Sequence, residues 1–91
     1  METAQEPQVT AERVNTWRNT GHLYLIIAAE MALWTIGRER GEALPENAAF
    51  GRDLARTVSP STYHKAKRFL SQEGVLYTND GPYKVALQGS A

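Results

Sequence analysis

The chain alternates between segments with a helical apolar period and short polar breaks, and only its last fifth changes to a period of two. In TAERVNTWRN, Thr10 can cap a short helix whose Val14 and Trp17 stand i,i+3 on one face, and Thr20-Gly21 ends or kinks it. A second helix is predicted from about His22 to Glu39, with Gly41 as its C-terminal stop. Its apolar run LYLIIAAEMALWTI, 14 residues from Leu23 to Ile36, is broken only by Glu30 and Thr35 and covers nearly the whole circumference of the helix. One buried face does not account for so much apolar surface. Either the preceding helix or the same helix of a second subunit must cover the other side, and a homodimer interface through Leu23, Ile26, Ile27 and Trp34 is expected. Within it, Glu30 suits a polar registry position or an exposed helix edge. Fourteen residues are too few to cross a bilayer comfortably, so a buried helix is favoured and no membrane role is expected.

GEALPEN is read as a loop from its Gly, Pro and Asn. AAFGRDLART follows with Phe50 and Leu54 at i,i+4, a helix of about two turns, and Thr57-Val58 makes a turn. Ser59-Pro60 is a helix start with a mechanism. The serine oxygen accepts from free backbone N–H groups, and proline at the first helical position has its φ preset and no hydrogen bond to lose. The helix it opens is expected over about 60–73, with Gly74 as its stop. Tyr63, Ala66, Phe69 and Leu70 mark its inner side, and Ser61, His64, Lys65 and Arg68 share the outer face at spacings of three, four and seven. VLYT and YKVAL then flank NDGP as a β-hairpin over about 75–87, with Tyr83, Val85 and Leu87 on one face and Tyr77 and Tyr83 as packing residues. A hairpin this short is marginal alone and must pack on the helices. The fold class is therefore mainly α with a small β-hairpin (α+β). Residues 1–9 are expected to be a flexible arm and 10–88 a single domain.

Charge sharpens the picture. Ten Lys and Arg balance ten Asp and Glu over 91 residues, so net charge says nothing about partners. Its distribution does. Between Arg52 and Leu70 the five fixed cations Arg52, Arg56, Lys65, Lys67 and Arg68 face only Asp53, whereas residues 1–12 hold Glu2, Glu6 and Glu12 without a cation. Positive charge is concentrated on and around the Ser59-Pro60 helix. With no cysteine, disulfides and thiolate zinc sites are excluded. His22 and His64 stand far apart without acidic neighbours at ligand spacing, and neither a glycine-rich phosphate loop nor a nucleophile motif occurs, so no metal, cofactor or enzymatic activity is expected. METAQEPQVT lacks the basic and apolar regions of a signal peptide, and a cytoplasmic protein is the simplest expectation.

Short helix, turn, longer helix and hairpin, in that order, describe a winged helix-turn-helix with an extra N-terminal helix. In such domains the second helix of the pair enters the major groove. LPENAAFGRDLARTVSPSTYHKAKRFLSQEGVLY resembles the DNA-binding half of GntR-family transcription regulators. The resemblance rests on Leu44, Pro45, Phe50, Leu54, Val58, Ser59, Ser61, Thr62, Ala66, Leu70, Glu73 and Gly74, and is most specific over residues 58–77. It implies that Ser59, Ser61 and Thr62 bind phosphates at the helix N-terminus. It also implies that His64 and Lys65 face base edges or the groove wall, that Lys67 and Arg68 supply charge to the backbone, and that Gly81 and Lys84 bring the wing to the minor groove. The chain departs from the family at several places. Pro60 and Ala48 stand where arginines are usual, Asp80 lies in the wing, the turn after Leu54 is about two residues longer, and the family's effector-binding domain is absent, so no small-molecule effector is evident. The function expected is a homodimeric, sequence-specific binder of double-stranded DNA, a transcriptional repressor or a plasmid or phage control protein. A protein-interaction winged helix, or a DNA-coating protein without sequence preference, is the alternative.

Overall fold

A computed structural model of the chain describes residues 9–45 and 59–86. The expected helix over AAFGRDLART and the turn at Thr57-Val58 lie outside these residues, as does Leu87. The described residues form three helices and a two-stranded antiparallel hairpin. In chain order these are α1 (Ala11–Asn19), α2 (Leu23–Thr35), α3 (Pro60–Gln72), β1 (Leu76–Tyr77) and β2 (Lys84–Val85).

Thr10 caps α1 as its sequence suggests, with its hydroxyl accepting from the Arg13 N–H at 3.2 Å. Val9 and Val14 stand at the positions just before the cap and four into the helix, the pair that a hydrophobic staple brings together, and both belong to the buried core. Val9, expected in the N-terminal arm, is packed in the core.

α2 runs through the middle of the molecule between α1 and α3. Ala28, Ala29 and Ala32 are fully buried in it, and small side chains allow neighbouring backbones to come close. It ends four residues before the expected Glu39. Ile36 turns extended (φ −64°, ψ 128°), and Gly37 takes φ +81°, a conformation that costs glycine nothing. Arg38 then folds back, its Nε donating to the Trp34 carbonyl at 3.0 Å and its guanidinium lying 4.3 Å over the Trp34 ring.

α3 is capped at both ends by its own sequence. The Ser59 hydroxyl accepts from the Thr62 N–H at 3.2 Å, and Pro60 occupies the first turn. At the other end Gly74 adopts φ +84°, the Gly74 N–H bonds the Ser71 carbonyl at 3.2 Å, and the Val75 N–H bonds the Leu70 carbonyl at 2.9 Å. This is the Schellman pattern, and the apolar residues that accompany it, Leu70 and Val75, are both fully buried. Arg13 of α1 pairs with Glu73 at this end, which ties α1 to the exit of α3.

The strands are shorter than the alternating pattern predicts, with Leu76 opposite Val85 and Tyr77 opposite Lys84. Asp80 sits at φ +84° in the connection, and the Thr78 hydroxyl donates to the Gly81 carbonyl at 2.6 Å, so the chain has left ladder geometry by then. GEALPEN is not simply a loop. Ala43 forms a bridge with Lys84, and three backbone bonds, Gly41 N–H to the Val85 carbonyl, Val85 N–H to the Glu42 carbonyl and Leu44 N–H to the Tyr83 carbonyl, place residues 41–44 along the second edge of β2. The core gathers Val14 and Trp17 of α1, the inner residues of α2, Leu44, the Tyr63–Ala66–Leu70 side of α3, and Val75 and Leu76.

Candidate nucleic-acid interface

Successive residues of a helix are about 100° apart, so a helix with Tyr63, Ala66 and Leu70 buried presents Ser61, His64, Lys65 and Arg68 on the opposite side. All four are exposed, as expected. Gln72 completes the row, four residues beyond Arg68, and is exposed as well. Lys67 stands apart from them: it is half-buried on the flank of the helix, a quarter-turn from Arg68.

At the head of α3 three hydroxyls meet. The Ser59 oxygen lies 3.0 Å from that of Ser61 and 3.1 Å from that of Thr62, besides accepting from the Thr62 N–H. Ser59, though exposed, is therefore committed to the cap, Thr62 is half-buried, and Ser61 is exposed. His64 stacks edge-on against Tyr83 with ring centroids 6.2 Å apart, which joins the outer face of α3 to the start of β2.

Lys65 is held over an aromatic ring rather than left in solvent. Its Nζ lies 4.5 Å from the centroid of Tyr24 in the first turn of α2. Tyr24 in turn meets Phe69 edge-on at 6.2 Å, and Phe69 meets Trp17 edge-on at 5.2 Å, so an aromatic ladder crosses from α2 through α3 to α1. Between α2 and α3 this leaves a groove of about 180 Å³ lined by Tyr24, Lys65, Arg68, Phe69 and Gln72. Neither Tyr24 nor Gln72 stands out in the sequence as a site residue. Gln72 does carry a signal there, since 61, 65, 68 and 72 repeat at helical spacing. Tyr24 carries none, because its partner lies some forty residues further along the chain.

The hairpin residues fall elsewhere. Tyr83 faces α3 and Val85 is buried in the core, so alternation along the strand turns Lys84 to the opposite face, across from Tyr77, over whose ring the Arg40 guanidinium lies at 5.1 Å. Lys84 does not join the α3 row. Gly81 has no positive φ, and a Cβ there would meet nothing within 4 Å; the positive φ of the connection belongs to Asp80.

Of the four residues expected at a dimer interface, Leu23, Ile26 and Trp34 are half-buried. Ile27 is not available: it is fully buried within the single chain, in the layer α2 shares with its neighbouring helices. Leu33 and Ile36, exposed at 39% and 55%, extend the apolar stripe instead. Glu30 sits within it at the edge of α2, paired with Arg18 of α1 at 3.5 Å.

Among the described residues no group of three or more His, Cys, Asp and Glu side chains is arranged to hold a metal ion, and no helix is long and apolar enough to cross a membrane. Comparison with family models, with curated proteins and with solved structures returns no match for this chain.

Proposed function

We propose that the chain is a homodimeric, sequence-specific DNA-binding protein of the winged helix-turn-helix type, a repressor or a plasmid or phage control protein similar to the DNA-binding half of GntR regulators. One observation carries the reading: the row Ser61, His64, Lys65, Arg68 and Gln72 on α3 is polar, exposed and without an acid. Arg13, Arg18 and Arg38 are each paired with a carboxylate, of Glu73, Glu30 and Glu42 respectively. Among the described residues Lys65 and Arg68 have no such partner, which leaves their charge for a polyanion. The pairing of residues 41–44 with β2 supports the winged topology, because it anchors the hairpin beside α3 rather than leaving two short strands alone.

In this reading α3 lies in the major groove with Ser59, Ser61 and Thr62 near a phosphate, His64 and Lys65 toward base edges, and Arg68 on the backbone. A dimer built through α2 presents two such helices and calls for half-sites about one helical turn, ~10 base pairs, apart. Selection from a random duplex pool tests it: recovery of a repeated half-site is the expected outcome, and an unenriched pool argues against it. The apolar stripe Leu23, Ile26, Leu33, Trp34 and Ile36 favours a second reading, a protein-docking module. A monomer in sedimentation that binds no duplex at low salt would support that instead.

A further inference from the structure

The groove between the first turn of α2 and the outer face of α3 has a composition that bulk basicity does not explain. Among the described residues that line it, the two cations Lys65 and Arg68 come from one helix, and none is an acid. The nearest acid along α3, Glu73, is engaged by Arg13 of α1. The first turn of α2, which supplies Tyr24, also carries no acidic residue, and it is the positive end of that helix. Tyr24 and Gln72 add a phenol and an amide as neutral donors beside the cations, and Phe69 lines the groove between them. Lys65 is already ordered by the Tyr24 ring, so less side-chain freedom is lost when it meets an anion.

We propose that this groove is a seat for one phosphoryl group, held by Lys65 and Arg68 with Tyr24 and Gln72 as flanking donors. The inference rests on the DNA-binding reading where the phosphoryl belongs to a DNA strand, and it then reassigns Lys65 from base edges to the backbone and leaves base reading to His64. A free phosphate ester offers the same chemistry, and because the seat lies within the α3 surface such a ligand would compete with DNA.

The test titrates the isotope-labelled full chain with inorganic phosphate and, at matched ionic strength, with chloride, following backbone amide signals. Phosphate alone is expected to shift the signals of Tyr24, Lys65, Arg68 and Gln72 saturably, with Lys65→Gln and Gln72→Ala each weakening the response severalfold. Equal shifts with chloride, or saturation centred elsewhere, overturn the seat. A second arm measures duplex affinity against salt for wild type and Lys65→Gln. A backbone phosphate in the seat predicts that the variant lowers the steepness of log K against log salt by about 0.9. A phosphate-specific response in a chain that binds no duplex, or whose slope is untouched by the variant, keeps the seat and assigns it to a free phosphate ester. Duplex binding with an untouched slope and no phosphate-specific response overturns the seat while leaving the DNA reading intact.

Discussion

Ser59 shows how much one side chain can decide. Its oxygen takes the Thr62 N–H and touches two further hydroxyls, so it orders the start of α3 and the polar cluster there together. Ser59→Ala should destabilise the fold by about 1 kcal/mol, the usual loss on removing a serine cap, read from the urea midpoint. A midpoint unchanged from wild type would mean that Pro60 and packing alone hold the turn. Asp80 is the opposite case, a residue in a conformation its side chain does not favour. Asp80→Val should cost about 1–2 kcal/mol, because a β-branched residue at positive φ meets its own carbonyl, whereas Gly81→Ala should stay within about 0.5 kcal/mol of wild type. The tip sequence NDGP announces a turn but not which residue carries the left-handed conformation. Aspartate tolerates it well enough to compete with the glycine beside it.

Among the helices and strands, the parts written in local chemistry are legible in the sequence. Thr10, Ser59-Pro60 and Gly74 mark α1 and α3 to within a residue, because caps and stops act over three or four positions. Tyr63, Ala66 and Leu70 define the inner face of α3 for the same reason. What is not legible depends on partners remote in sequence. The end of α2 is the local exception, set by Gly37 and by Arg38 stacking back on Trp34, while the apolar pattern itself runs on to Ile36. The strand-like pairing of 41–44 comes from β2, some forty residues later, and a Gly-Pro-Asn composition conceals it. The candidate site divides the same way, since the α3 row follows from spacing alone but Tyr24 enters only through α2 crossing α3. Leu70, with no exposure and its carbonyl in the Schellman motif, joins α3 to the strand that follows. Leu70→Ala should cost about 2–5 kcal/mol in thermal or urea unfolding. A loss well under that range would show a core able to collapse around the missing atoms.

For the molecule as one body, α2 and α3 present surfaces of different chemistry. α3 turns an acid-free polar row outward, and α2 leaves Leu23, Ile26, Leu33 and Trp34 as an apolar stripe beside the exposed Ile36. A second copy covering that stripe would give the molecule two α3 rows at a fixed spacing. Leu33→Glu should then convert a dimer to a monomer in sedimentation and weaken duplex binding without unfolding the chain, because the position is exposed. A variant that remains dimeric would move the interface elsewhere.

The central proposal for this protein is that the outer face of α3 reads duplex DNA. Fluorescence anisotropy on the duplex surrounding the protein's own gene and on a scrambled duplex of equal length, at two salt concentrations, puts that to the test. Wild type would be compared with His64→Ala/Arg68→Ala, a variant changed only at exposed positions. Preferential binding of the native duplex is expected, weakening with salt and lost in the variant. Equal binding of both duplexes, or a variant indistinguishable from wild type, would show that α3 does not read DNA.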